Sequence, residues 1–110
     1  MARSIEEKAT EVLGFVEQAT GIQRAALASD KSDRELDDGR ALFVWCMAQV
    51  GSELDYIDLR SLVGARTVRA VARMHFRAIR RRLDSGVFNQ RCTDFQALLR
   101  SVGAVPHGCA

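Results

Sequence analysis

Helix breakers are scarce in this chain, and where they stand they punctuate helices. Its one proline, Pro106, lies near the end, and most of its eight glycines fall between amphipathic stretches rather than inside them. Proline cannot continue a helix, and glycine weakens one by about 1 kcal/mol against alanine. A body almost free of both is therefore biased towards long helices, the more so because Ala, Leu, Arg and Glu are abundant. At 110 residues and 47% hydrophobic content the chain can build one modest core. The expected fold class is all-α: a compact helical bundle over residues 1–103, followed by a flexible tail over 104–110.

Periodicity and capping residues place the elements. Ser4 and Glu7 form a capping box ahead of a helix over 5–20, in which Ala9, Val12, Leu13, Val16 and Ala19 share a face. Gly21 is the expected left-handed stop. Residues 22–28 read as a short helical turn and 29–33 as a polar loop, with Asp33 capping a second long helix over 34–50 that ends at Gly51. Leu42, Trp45, Cys46, Gln49 and Val50 give that helix a broad buried stripe with Trp45 as the central core aromatic, and Gly39 within it points to a close helix contact. Asp55 caps a short helix over 56–63, Gly64 turns the chain, and a long helix follows over 66–83. After Asp84, Ser85 and Gly86, a last helix over 89–102 packs through Phe95, Leu98, Leu99 and Val102. Short helix, glycine turn, long basic helix is the order of a helix-turn-helix.

The net charge of +2 conceals two opposed regions. Residues 1–59 carry six Lys/Arg and twelve Asp/Glu, whereas residues 60–91 carry nine Arg and one acid, Asp84. A local excess of +8 within 32 residues is the electrostatic footprint of a phosphate-binding surface. On the long helix, at 100° per residue, Arg66, Arg69, Arg73, Arg77 and Arg80 fall within about 80° of one another. Val68, Val71, Ala72, Ile79 and Leu83 occupy the other side. No acid inside that helix stands at i±3 or i±4 to pair with the stripe, whereas ordinary solvated faces mix signs. The planar guanidinium binds phosphate, or the O6/N7 edge of guanine, bidentately.

Other functions find little support. Cys46, Cys92 and Cys109 form no CxxC pair, His107 and Cys109 alone do not make a zinc site, and the pattern fits a reducing cytoplasm. No apolar run approaches the ~20 residues of a membrane span, and the acidic start argues against a secretory signal. No Ser-His-Asp set, paired buried carboxylates or GxxxxGK[ST] phosphate loop can be picked out, so no catalysis, nucleotide or cofactor is expected. His75 reads as a core or boundary histidine.

The layout resembles the C-terminal DNA-binding domain of the bacterial replication initiator DnaA, of the Trp-repressor-like helix-turn-helix group. The resemblance covers most of residues 5–101. Residues 27–50 line up without a gap with the family's basic loop and following helix. Ile57-Asp-Leu-Arg-Ser-Leu-Val-Gly-Ala-Arg66 follows its short helix ending in apolar-Gly-Gly-Arg, and Thr93-Asp-Phe-Gln-Ala-Leu-Leu-Arg follows its closing helix. Where the family reads G-R-D-H-T-T-V, this chain has Ala65-Arg66-Thr67-Val68-Arg69-Ala70-Val71, sharing Arg66 and Val71. The family's K-R-R-S-R loop becomes Asp30-Lys31-Ser32-Asp33-Arg34, with Ser32 where an arginine enters the minor groove. The resemblance implies the fold and the mode of DNA binding, but neither the replication-origin sequence nor nucleotide binding. It fits a freestanding transcriptional regulator of phage or mobile-element kind.

The expected partner is double-stranded DNA. Arg66, Thr67 and Arg69 are the candidates for base edges. Arg73, Arg77, Arg80, Arg81 and Arg82 would hold phosphates, flanked by Lys31, Arg34 and Arg40. Tyr56 would either contact a phosphate or be partly buried. A single helix-turn-helix reads few base pairs, so a dimer or a second regulatory protein is expected as well. The rival reading is a helical adaptor that docks an acidic protein through the arginine-rich helix. RNA is a third candidate, but no exposed aromatic set for stacking bases stands out.

Overall fold

The computed structural model describes residues 5–51 and 56–102, with the side chain of Ile5 excepted. Among them the chain is all-α, with no strand. The helices are α1 (Ile5–Thr20), α2 (Arg24–Leu27), α3 (Arg34–Val50), α4 (Tyr56–Leu59), α5 (Val68–Asp84) and α6 (Gly86–Ser101), with a 3-10 turn over Arg60–Val63 after α4.

The centre of the molecule is α3. Seven consecutive residues, Ala41 to Met47, are buried, so this helix is enclosed on every side rather than along one stripe. α1 covers it through Ala9, Val12, Leu13 and Val16, α5 through Val71 and Ala78, and α6 through Phe88, Cys92, Phe95 and Leu99. Phe15 meets Phe95 edge-on at 4.9 Å and joins α1 to α6. Trp45 is fully buried, as the central core aromatic should be.

The local signals act where expected in the first half. Asp33 accepts a hydrogen bond from Leu36 N at 2.8 Å and starts α3. Gly21 adopts φ +75 after α1. A Cβ on Gly39 would stand 2.7 Å from Ile22 Cδ1 and 3.3 Å from Leu27 Cδ2, so glycine lets the chain around α2 lie against α3. Gly64 adopts φ +65, and a Cβ there would run into the carbonyls of Ala28 and Ser29. Ala19 is only half-buried. The expected caps Ser4 and Asp55, and the tail residues His107 and Cys109, lie outside the described residues.

The second half departs from expectation in five ways. The segment over 56–63 splits into α4 and a 3-10 turn. α5 begins at Val68, not Arg66, because the Thr67 hydroxyl accepts from Ala70 N at 3.1 Å and makes Thr67 the cap. The break before α6 is one residue: Ser85 N donates to Arg81 O at 2.8 Å while its hydroxyl accepts from Phe88 N at 3.2 Å, so Ser85 closes one helix and opens the next. The buried line of α6 runs through Phe88, Cys92, Phe95 and Leu99, and leaves Leu98 and Val102 exposed. On α5 the buried side runs through Val71 and Ala78, with Met74 and His75 half-buried, which leaves Val68 exposed and Leu83 85% exposed.

Candidate nucleic-acid interface

The arginines divide into two sets according to what the fold offers each guanidinium. Arg66, Arg69, Arg73 and Arg80 are exposed, as are Lys31 and Arg34, and none forms an ion pair with a described residue. Arg69, Arg73 and Arg80 project from α5 within about 40° of one another, a cationic line on its solvent side. Arg66 sits on the loop just before the helix. Arg60 Nη1 donates to the carbonyl of Arg66 at 3.2 Å and ties that loop to the preceding 3-10 turn. Thr67 is also exposed; its hydroxyl oxygen accepts the bond that caps α5 and its O–H remains able to donate.

The other set faces inward. Asp38 of α3 holds two arginines of α5 at once. Arg77 Nε donates to Asp38 Oδ1 at 3.0 Å with Nη2 at 2.9 Å from the same oxygen, and Arg81 Nη2 donates to Asp38 Oδ2 at 3.2 Å. One carboxylate between two guanidiniums leaves a net positive charge there. Arg82 lies over the Trp45 ring at 5.0 Å, and its Nε donates to Asn89 Oδ1 at 3.0 Å.

Arg40 is 4% exposed and serves the chain itself. Its Nε donates to Leu27 O at 2.9 Å and its Nη2 to Ser29 O at 2.9 Å and Ala26 O at 3.3 Å, closing the carbonyl end of α2. Of the eight residues expected to meet phosphates, the structure brings Lys31, Arg34, Arg73 and Arg80 to the surface unpaired. It occupies Arg40, Arg77, Arg81 and Arg82 with internal partners. The sequence offered no local signal for Asp38, which stands 39 and 43 residues before the arginines it holds.

A cleft of about 400 Å³ opens between α5 and the start of α3, lined by Arg34, Arg73, Phe76, Arg77, Arg80 and Arg81, with Asp84 at one end. Periodicity did not single out Phe76, although the ring is 67% exposed. A second cleft of about 300 Å³, with Glu35, Asp38, Arg81 and Arg91 in its wall, lies against the same Asp38–Arg81 pair.

Tyr56 is half-buried, and its hydroxyl meets His75 Nδ1 at 2.7 Å, linking α4 to α5. Burial lowers the His75 pKa below its ordinary value, so the imidazole is neutral at pH 7. Burial also raises the thiols. Cys92 is pushed up to about 12 against the pull of the Arg82 charge, and Cys46 is raised by its own burial and by the Cys92 thiol nearby. Both are therefore protonated and unreactive at neutral pH. Among the described residues no His, Cys, Asp and Glu group is placed to hold a metal ion, and no helix is long and apolar enough to cross a membrane.

No protein-family model matches the chain, and no curated protein or solved structure matches it either.

Proposed function

We propose that the protein binds double-stranded DNA through α5 in the manner of a helix-turn-helix, as its resemblance to the C-terminal module of the replication initiator DnaA suggests, and that it acts without catalysis as a transcriptional regulator rather than an initiator. The observation that carries this reading is the line of unpaired arginines, Arg69, Arg73 and Arg80, on the solvent side of a helix that follows a short helix and a left-handed glycine. Like charges held on one face repel, and a polyanion relieves that repulsion. Arg66 and Arg69, at the start of α5, are the proposed readers of base edges. Thr67 stands with them: its hydroxyl accepts the capping bond from Ala70 N and keeps its O–H to donate to a base. Arg73, Arg80, Arg34 and Lys31 hold phosphates.

The test is a mobility shift of random-sequence and genomic duplexes from ~50 to ~300 mM salt, a range over which phosphate-dominated binding weakens steeply. Binding that weakens with salt and retains a preferred subset of fragments supports the reading. Absence of any shift at the lowest salt overturns it. A second reading, docking of an acidic protein, draws on Leu83, which stays 85% exposed beside the arginine line where phosphates give it no apolar cover. It gains if duplex binding fails.

A further inference from the structure

Phe76 is an exposed aromatic ring that the duplex reading does not assign. It lies seven residues beyond Arg69, about 10 Å along the helix axis. A lone exposed apolar side chain is ordinary on a protein surface, but this ring is a wall of the cleft that the arginines line. Arg73 and Arg80 flank it at i−3 and i+4, the positions adjacent on a helix surface. Arg77 and Arg81 form the side towards α3 and are fixed in place by Asp38 at 2.9 and 3.2 Å. Arg34 approaches from α3. Five arginines against Asp84 and the clamping Asp38 leave the cleft net +3.

This site asks for a ligand with two properties at once: negative charge on its flanks and a flat face for an aromatic ring. The cleft is an open groove of about 400 Å³. A base inside a duplex has both faces covered by its neighbours and offers Phe76 only its groove edge. A base in a single strand has a free π-face and a phosphate on either side, the combination that single-strand binders meet with an aromatic platform in a basic groove. An acidic peptide supplies the charge without the obligatory flat face.

We propose that this cleft holds one unpaired nucleotide of a single-stranded segment, with its base stacked on Phe76 and its flanking phosphates held by Arg73, Arg80 and Arg34. The site shares α5 with the duplex reading but does not depend on it. Because Arg73, Arg80 and Arg34 serve in both readings, duplex and single strand compete for this face where both hold.

The experiment uses the full chain and fluorescence anisotropy with three probes: a labelled oligothymidylate, a blunt duplex and polyglutamate. Phe76→Ala weakens oligothymidylate binding about tenfold or more and leaves the duplex within about twofold. Phe76→Trp keeps the affinity, and its added emission is quenched on binding. Because the ring is exposed, neither substitution removes core packing. The proposal is overturned if wild-type fails to bind oligothymidylate at the lowest salt, or if Phe76→Ala leaves that affinity unchanged. It is equally overturned if polyglutamate binds as well and with the same dependence on Phe76, which assigns the cleft to an acidic protein. Loss of duplex binding alone, with the Phe76 dependence intact, removes the duplex reading and leaves this site standing.

Discussion

The two sides of α5 carry the same residue type to opposite ends. On the side facing α3, Arg77 and Arg81 are clamped by Asp38 and Arg82 lies on Trp45, so their guanidiniums join helices. On the solvent side, Arg69, Arg73 and Arg80 meet no carboxylate among the described residues. The same split recurs on α3, where Arg40 is buried among the carbonyls of α2 and Arg34, six residues earlier, is free. Arginine content alone therefore says little about binding. What decides between strut and contact is whether the fold supplies a partner: Asp38 for Arg77 and Arg81, Trp45 and Asn89 for Arg82, and the carbonyls after α2 for Arg40.

Breaking the strut side has the largest expected effect. Arg40→Ala leaves the carbonyls of Ala26, Leu27 and Ser29 without their donor and lowers stability by about 3 kcal/mol in urea unfolding. An unchanged midpoint removes Arg40 from the structural set. On the solvent side, Arg69→Ala costs about 1–3 kcal/mol of affinity for a preferred duplex and relaxes sequence preference, with stability unchanged. Charge reversal at Arg73 weakens all sequences alike. If both variants lower affinity without touching preference, α5 does not read bases.

Asp38→Asn sharpens the comparison, because it converts strut into contact. Stability falls by about 1 kcal/mol, a modest figure because the clamp is partly solvent-exposed, while duplex affinity rises as Arg77 and Arg81 are released. A fall in both quantities shows that the clamp shapes the binding face itself. The smallest effect concerns His75. Its folded pKa lies below the unfolded value of about 6.5, so the unfolded chain takes up the proton first. The stability conferred by the neutral imidazole is whole above that value and declines as pH falls through it towards the folded pKa. His75→Asn flattens this part of the pH profile, and an unaltered profile removes the histidine from it.

Much of the first half was legible in the sequence because its signals are local. Asp33 and Gly21 act within a turn of their own position, and the α1 and α3 boundaries follow from them. Gly39 announced a close approach, although not that Ile22 and Leu27 make it. The second half was less legible because its determinants are shared or distant. Thr67 takes the cap that shortens α5 by two residues from the expected start, and Ser85 caps two helices at once, which a reading of one helix at a time does not anticipate. Leu83, expected among the apolar residues of the helix, stands within about 60° of Arg69 and Arg80 and far from the buried line of Val71 and Ala78, so it stays exposed. The rotation that turns Arg77, Arg81 and Arg82 inward and leaves Phe76 outside depends on Asp38, Trp45 and Asn89, each on another helix.

The central claim is that the unpaired arginines, and not the full basic count, meet DNA, and the salt dependence of duplex binding tests it most directly. Four phosphate-holding side chains, Lys31, Arg34, Arg73 and Arg80, predict that log K falls against log salt with a slope between about −3 and −4, since each contact contributes about −0.9. A slope near −7 would show that the clamped and buried arginines also reach phosphate, and no binding at ~50 mM salt would contradict the DNA interface altogether.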